Sequence, residues 1–292
     1  IIVTTCAMAL YTNRPFALAP GLGSVGIIAS MITNEGVSAP IAAGVIFWSG
    51  VLFIIISFLG LREAVVRVIP VSLKQSVSAG IGLFIAFLGF QDAKIVIASE
   101  STGVTLASFN LLGGASWADI MPLLVTIAAV ISMAVLSKKK VKGAILWSIL
   151  GGAAVYYLLG LTIPDFYKGL FDGVSMNPLA AFGEFGELAF GKVFTEGFDF
   201  STYLAGEGHS VGGLVITFVT TALAFCMVDM FDTMGTLYGA CRSGNLLYKN
   251  EKGEDEVPNM NQAMLADAIA TCTGAICGTS TVTTFVESSS GV

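Results

Sequence analysis

Four carboxylates stand inside apolar stretches of this sequence: Asp229, Asp232, Asp267 and Glu287. At the centre of a membrane-crossing helix such a group costs roughly 2.5–3.5 kcal/mol on insertion scales. No Lys or Arg lies beside any of them in the sequence. Acids placed this way hold a proton, face water or meet a ligand; the competing role is purely structural, hydrogen-bonded to helix ends or hydroxyls. Asp229 and Asp232 are three residues apart and share one helix face. Gly235 and Gly239, just beyond them, admit another backbone at close range. Around Glu287 the sequence reads Gly278-Thr279-Ser280-Thr281-Val282-Thr283-Thr284-Phe285-Val286-Glu287-Ser288-Ser289-Ser290-Gly291. Its Thr, Val and Phe favour extended backbone, and Ser288 to Ser290 are placed to cap the start of a half-helix. Ala19-Pro20-Gly21-Leu22-Gly23-Ser24-Val25-Gly26 has the same broken character. Unwound backbone at membrane depth is tolerated only where protein or a cavity satisfies it. Half-helix starts supply N–H donors and a positive dipole end, and carboxylates supply acceptors. Together they can read a flat heterocycle that carries both.

The elements that must position these groups are membrane helices. Hydrophobic residues are 55% of the 292, charged residues 12%, and the mean hydropathy is +0.84. A soluble domain carries roughly 25% charge. The apolar runs are continuous and about 20 residues long, as a helix crossing a bilayer requires, without the alternation of a membrane barrel. The pattern predicts nine membrane-associated segments: 1–12, 16–32, 39–61, 72–97, 120–137, 143–161, 211–241, 261–277 and one that starts near Thr279. Arg14, Arg62, Arg67, Lys74, Lys138, Lys139, Lys140, Lys142, Arg242, Lys249 and Lys252 fall in alternate loops. Those loops are expected on the cytoplasmic side.

The stretch from Thr162 to His209 is too long for a plain connector. It reads either as an amphipathic cap on the membrane surface or as a flexible loop. His209 is a solitary loop histidine. The five cysteines read as free thiols in helices. No metal cluster, nucleophile–histidine pair or phosphate loop is visible, and Gly80-Ile81-Gly82 reads as packing glycine. Neither an enzyme nor a nucleic-acid binder is expected, and no cofactor is expected. The apolar start without Met and the end within a motif predict truncation at both ends.

Several motifs carry a resemblance. They are Asn13-Arg14-Pro15-Phe16-Ala17-Leu18-Ala19-Pro20-Gly21-Leu22-Gly23, Phe231-Asp232-Thr233-Met234-Gly235-Thr236-Leu237, and the run Gly278 to Ser288. The stretch Ser78 to Phe87 adds to them. In these the chain resembles the nucleobase/ascorbate transporter family, and within it the AzgA-like purine permeases. The resemblance implies an all-α polytopic membrane protein with an inverted-repeat transporter fold, core plus gate, whose two broken segments contain short extended strands. It assigns 1–69 and 210–292 to the core, 70–162 to the gate, and 163–209 to an extracellular or periplasmic loop. It implies a purine nucleobase as substrate and a coupled proton or sodium ion, and it leaves room for a homodimer. The setting is an inner or plasma membrane.

Carried over by position, Asp232 and Glu287 bind substrate, with the Val286 backbone and Phe285 beside them. Val25 stands where AzgA-like members have an Asn that contacts substrate, and neighbouring Ser24 points elsewhere in a regular extended segment. Asp229 and Asp267 are candidates for proton coupling. Two rival readings stay open at this point. One is a uracil, xanthine or anion carrier of the same architecture. The other is an ion channel or a structural membrane subunit.

Overall fold

The computed structural model describes residues 1–14, 16–34, 36–59, 68–110, 116–167, 178–204, 210–250, 253 and 255–290. His209, Arg62, Arg67, Lys168, Lys252 and Gly291 lie outside them. Helices dominate. Four are long and apolar enough to cross a membrane: Ala39–Phe58, Ser72–Asp92, Trp117–Lys138 and Val211–Ser243. Three shorter helices, Ile2–Thr12, Leu22–Thr33 and Ala144–Gly160, are apolar as well.

The chain divides into two units, Ile1–Ile81 with Asn177–Val292, and Gly82–Met176. The first contains α1 (Ile2–Thr12), β1 (Leu18–Pro20), α2 (Leu22–Asn34), α3 (Ala39–Phe58) and the start of α4 (Val71–Asp92). In α3, Pro40 sits in the first turn, where its missing N–H costs nothing. The second unit contains the rest of α4, the β2–β3 hairpin (Val96–Ser99, Gly103–Leu106), α5 (Trp117–Lys138) and α6 (Ala144–Gly160). A capping box between Ser116 and Asp119 starts α5. The hairpin corrects the expected helix to Ile97. Helix α4 stops at Asp92, Lys94 adopts a left-handed φ of 55°, and the Val-Ile run that follows pairs as strand rather than helix.

Back in the first unit, the long connector forms three short helices, α7 (Pro178–Leu188), α8 (Lys192–Thr195) and α9 (Ser201–Leu204). Helix α8 is anchored, not loose. Val193 is fully buried, the Phe194 ring meets Phe47 of α3 edge-on at 5.3 Å, and the Gly191 N–H donates to the Ile276 carbonyl at 2.8 Å. Helix α7 exposes Phe182, Phe185 and Leu188.

Helix α10 (Val211–Ser243) follows, 33 residues long. Ser210 caps it, its hydroxyl accepting from the Gly213 N–H at 3.1 Å. At 1.5 Å per residue it spans roughly 50 Å, more than the ~30 Å hydrocarbon thickness. Strands β4 (Tyr248–Lys249) and β5 (Asp255–Glu256) lead into α11 (Met260–Ile276), then β6 (Val282–Thr284) and a 3-10 turn, Val286–Ser290. Helix α11 packs most extensively on α3, and α10 also lies against α3. The core of this unit gathers Met8, Phe16, Leu18, Phe53, Met230, Leu237, Met264 and Val282 from six elements and the turn before β1.

Candidate functional site

The two broken segments meet. β1 and β6 pair antiparallel, with Leu18 opposite Thr284, Ala19 opposite Thr283 and Pro20 opposite Val282. Proline lacks an N–H, and an edge position in a two-stranded ribbon tolerates that. The pairing extends past the strands. The Gly21 N–H donates to the Thr281 carbonyl at 2.8 Å, and the Phe285 N–H to the Ala17 carbonyl at 2.9 Å. The Thr5 hydroxyl of α1 braces Leu18, accepting from its N–H at 3.1 Å. A three-residue ribbon could not hold itself at membrane depth; side chains from three helices complete its hydrogen bonds.

Beneath the ribbon α10 and α11 exchange partners. The Thr233 hydroxyl of α10 donates to Asp267 Oδ2 of α11. The Thr271 hydroxyl of α11 donates to Asp229 Oδ2 of α10 at 3.0 Å. Each helix therefore carries an Asp and, four residues on, a Thr on the same face, and each Asp receives the other helix's Thr. The lattice continues into β6. The Thr284 hydroxyl donates to Asp267 Oδ1 at 3.0 Å, Thr283 and Thr233 share a hydrogen bond at 3.1 Å, and Thr271 also reaches the Val282 carbonyl at 3.1 Å. All six side chains are buried. Gly274 makes the approach of α11 to β6 close: a Cβ there would stand 2.4 Å from Val282 Cγ2.

Asp232 lies one turn on from Asp229, half-buried rather than buried. The 3-10 turn that carries Glu287 packs against α10, and the two carboxylates are near enough for their charges to interact. Glu287 is exposed in this chain, while Phe285 and Val286 are half-buried. Val286 opens the turn, and α2 starts at Leu22, so both segments present helix starts, where the first backbone N–H groups lack intrahelical acceptors; the Val25 N–H, at the end of that first turn, already donates to the Gly21 carbonyl at 3.0 Å.

Two sequence expectations need correction. Ser24 is helical, in the first turn of α2, not in an extended segment. Its buried hydroxyl donates to the Gly21 carbonyl at 2.8 Å and meets the Thr281 hydroxyl, so it ties the two broken segments together. Ser288 does not cap its own turn from outside; it lies within the turn, and its hydroxyl accepts from the Ala17 N–H at 3.0 Å. The sequence reading singled out the acids but missed Thr233, Thr271, Thr283 and Thr284 as their partners. The repeated Asp-x-x-x-Thr spacing in two consecutive helices was the available signal. Among the described residues no group of His, Cys, Asp and Glu is arranged to hold a metal ion.

Comparison with known proteins places the chain among permeases. The chain is 35% identical over 291 residues to a putative permease of Methanocaldococcus jannaschii, covering 99% of this chain and 58% of the relative. It is 33% identical over 302 residues to the guanine/hypoxanthine permease PbuO of Bacillus subtilis, covering 100% and 60%. It is 29% identical over 301 residues to the adenine permease AdeQ of Escherichia coli, covering 100% and 59%. The chain thus spans about three fifths of the length of these relatives. The Permease family model matches residues 1–292. This chain is a helical membrane protein and belongs to the Permease family, the nucleobase/ascorbate transporter family that its motifs resemble.

Proposed function

We propose that the protein carrying this chain imports purine nucleobases by symport with a cation, a proton in the first instance. The observation that carries this reading is the reciprocal Asp–Thr lattice under the β1–β6 ribbon, with Asp232 and Glu287 at its edge. Purine carriage is taken from the relatives, which include a guanine/hypoxanthine permease and an adenine permease. The two broken segments are repeat-related parts of the core. The basic loops face the cytoplasm, in an inner or plasma membrane.

Asp232 and Glu287 accept ring N–H groups of the base. The N–H groups at the starts of α2 and of the 3-10 turn meet its acceptors, with Phe285 and Val286 alongside. Val25 offers no hydrogen bond where the resemblance places an Asn, and the Ser24 hydroxyl is engaged with Gly21 and Thr281, so backbone groups carry that edge. Asp229 and Asp267 are the proton-coupling groups. Thr271 has one hydroxyl proton and two acceptors, Asp229 and the Val282 carbonyl. A proton on Asp229 can donate to Thr271 and release the threonine's own proton to Val282. Protonation is then felt in the strand that leads to Glu287.

Uptake of labelled hypoxanthine, guanine and adenine by cells expressing the protein, with and without a protonophore, tests this. Saturable uptake abolished by the protonophore is expected. Asp232→Asn and Glu287→Gln are each expected to cost at least tenfold in uptake while leaving surface abundance intact. Wild-type uptake by both variants refutes the site. Competition by uracil or sulfate but not by purines refutes the substrate, and flux that never saturates indicates a channel.

A further inference from the structure

At the end of α10 toward Arg242, away from the β1–β6 ribbon, lies a cavity of about 350 Å3. That volume is within the ~300–1,000 Å3 range of small-molecule sites. Met234 and Tyr238 of α10 and Met260 of α11 give it flat, polarisable walls. Its polar groups are unequally engaged. Asp255 is paired with Lys249 at 3.0 Å, and Glu256 accepts from the Tyr248 hydroxyl at 3.2 Å. The Tyr238 oxygen accepts from the Gln75 amide at 3.3 Å, which leaves its own O–H to donate. Lys74, from the first turn of α4, lines the cavity half-buried and has no ion-pair partner among the described residues. Each acid thus already accepts from one partner, the amides of Asn259, Asn261 and Gln262 add polar groups of both kinds, and Lys74 and the Tyr238 O–H are the donors on the α4–α10 wall.

The position is as informative as the chemistry. Tyr238 follows Asp232 by six residues on one helix, roughly 9 Å along its axis. At the level of the cavity α10 touches α4: a Cβ on Gly235 would lie 2.7 Å from Val77 Cγ1, and one on Gly239 would lie 2.3 Å from the Ser78 hydroxyl. The cavity therefore sits on the basic-loop side of Asp232, beside a tight helix contact.

We infer that this cavity is a second nucleobase site, on the basic-loop side of Asp232 and beside the α4–α10 contact, that takes 6-oxopurines and holds them through Lys74. The inference rests on the purine-permease reading. An oxopurine presents two adjacent acceptors on one edge, O6 and N7, the pair that a lysine addresses on guanine. Tyr238 and the two methionines meet its faces and rim. Adenine presents its N6 amino donor in place of O6, so donor meets donor at Lys74.

The test uses the complete protein in proteoliposomes of known sidedness, measuring half-saturation for each base from each face. Lys74→Met is expected to raise half-saturation for hypoxanthine about tenfold at the basic-loop face, the value of one lost charge-assisted hydrogen bond. No change is expected at the opposite face, and less than twofold for adenine at either. Lys74→Arg keeps the O6/N7 contact and is expected to restore hypoxanthine. If Lys74→Met does not reach the membrane, Tyr238→Phe reads the same cavity, with a smaller shift of about threefold confined to the same face. Unchanged half-saturation, equal changes at both faces, or equal loss for adenine and hypoxanthine overturns the inference while transport stands. A wild-type protein that carries no purine overturns the transport reading, and this site with it.

Discussion

The interior under the β1–β6 ribbon and the interior of the α5–α6 pair are built on opposite terms. The first buries Asp229, Asp267, Thr233, Thr271, Thr283 and Thr284 together. Among the described residues of the second unit, Ser148 is the one buried polar side chain, and it donates to the Ala144 carbonyl of its own helix at 2.8 Å. Otherwise α5 and α6 bury Ile120, Met121, Leu123, Val125 and Ala144. Two regular helices satisfy their own backbones and need only close packing to associate in lipid. A ribbon of three residue pairs leaves groups that other side chains must satisfy, and the hydroxyls and carboxylates of α10 and α11 serve that need. Polar burial therefore marks where regular structure was given up, and in a permease that is where a polar solute can be read.

The sharpest way to break this contrast is Asp267→Leu. It leaves the Thr233 and Thr284 hydroxyls without their acceptor, at about 1–3 kcal/mol for each buried group left unmet. Uptake is expected to vanish and the yield of monodisperse protein in detergent to fall severalfold. Asp267→Asn keeps an acceptor oxygen and is expected to fold better than Asp267→Leu. Equal yields for both would show that the lattice contributes nothing to stability.

Next in size is Gly274→Ala. The new Cβ would meet Val282 Cγ2 at 2.4 Å and the Ser280 carbonyl at 3.1 Å. The backbone of β6 has to move, at a typical overpacking cost of about 1–3 kcal/mol. Because β6 leads directly into Glu287, uptake is expected to drop more than stability does. A thermal-unfolding midpoint that falls while hypoxanthine uptake stays at wild type would separate the ribbon from the site.

Much of this was legible in the sequence, and the limits have physical causes. Acids in apolar runs and Pro-Gly interruptions announce themselves, because membrane depth makes each expensive. The pairing of β1 with β6 joins residues more than 260 positions apart, so local propensity predicts extended backbone at both without naming either partner. The threonine partners were hidden for a related reason. A Thr in a helix ordinarily bonds back to its own turn, as Thr273 does to Ile269 at 2.8 Å. Only the facing of α10 on α11 turns Thr233 and Thr271 across. Ser24 was misplaced because α2 begins at Leu22, one residue after the strand, and the glycines around it fit either state.

The smallest expected effect lies in the other region. A Cβ on Gly152 of α6 would approach the Ala129 Cβ of α5 at 3.0 Å, a contact that a few tenths of an ångström of relaxation relieves. Helix association in lipid depends on such small-residue contacts, and two straight helices can separate slightly without exposing an unsatisfied polar group. Gly152→Ala also gains helix propensity, about 0.8–1.0 kcal/mol, which offsets the crowding. The net change in thermal midpoint is expected to be within a few degrees, with uptake retained. A loss as large as that of Gly274→Ala would mean that the apolar pair tolerates no more adjustment than the ribbon does, and the contrast between the two interiors would lose its functional meaning.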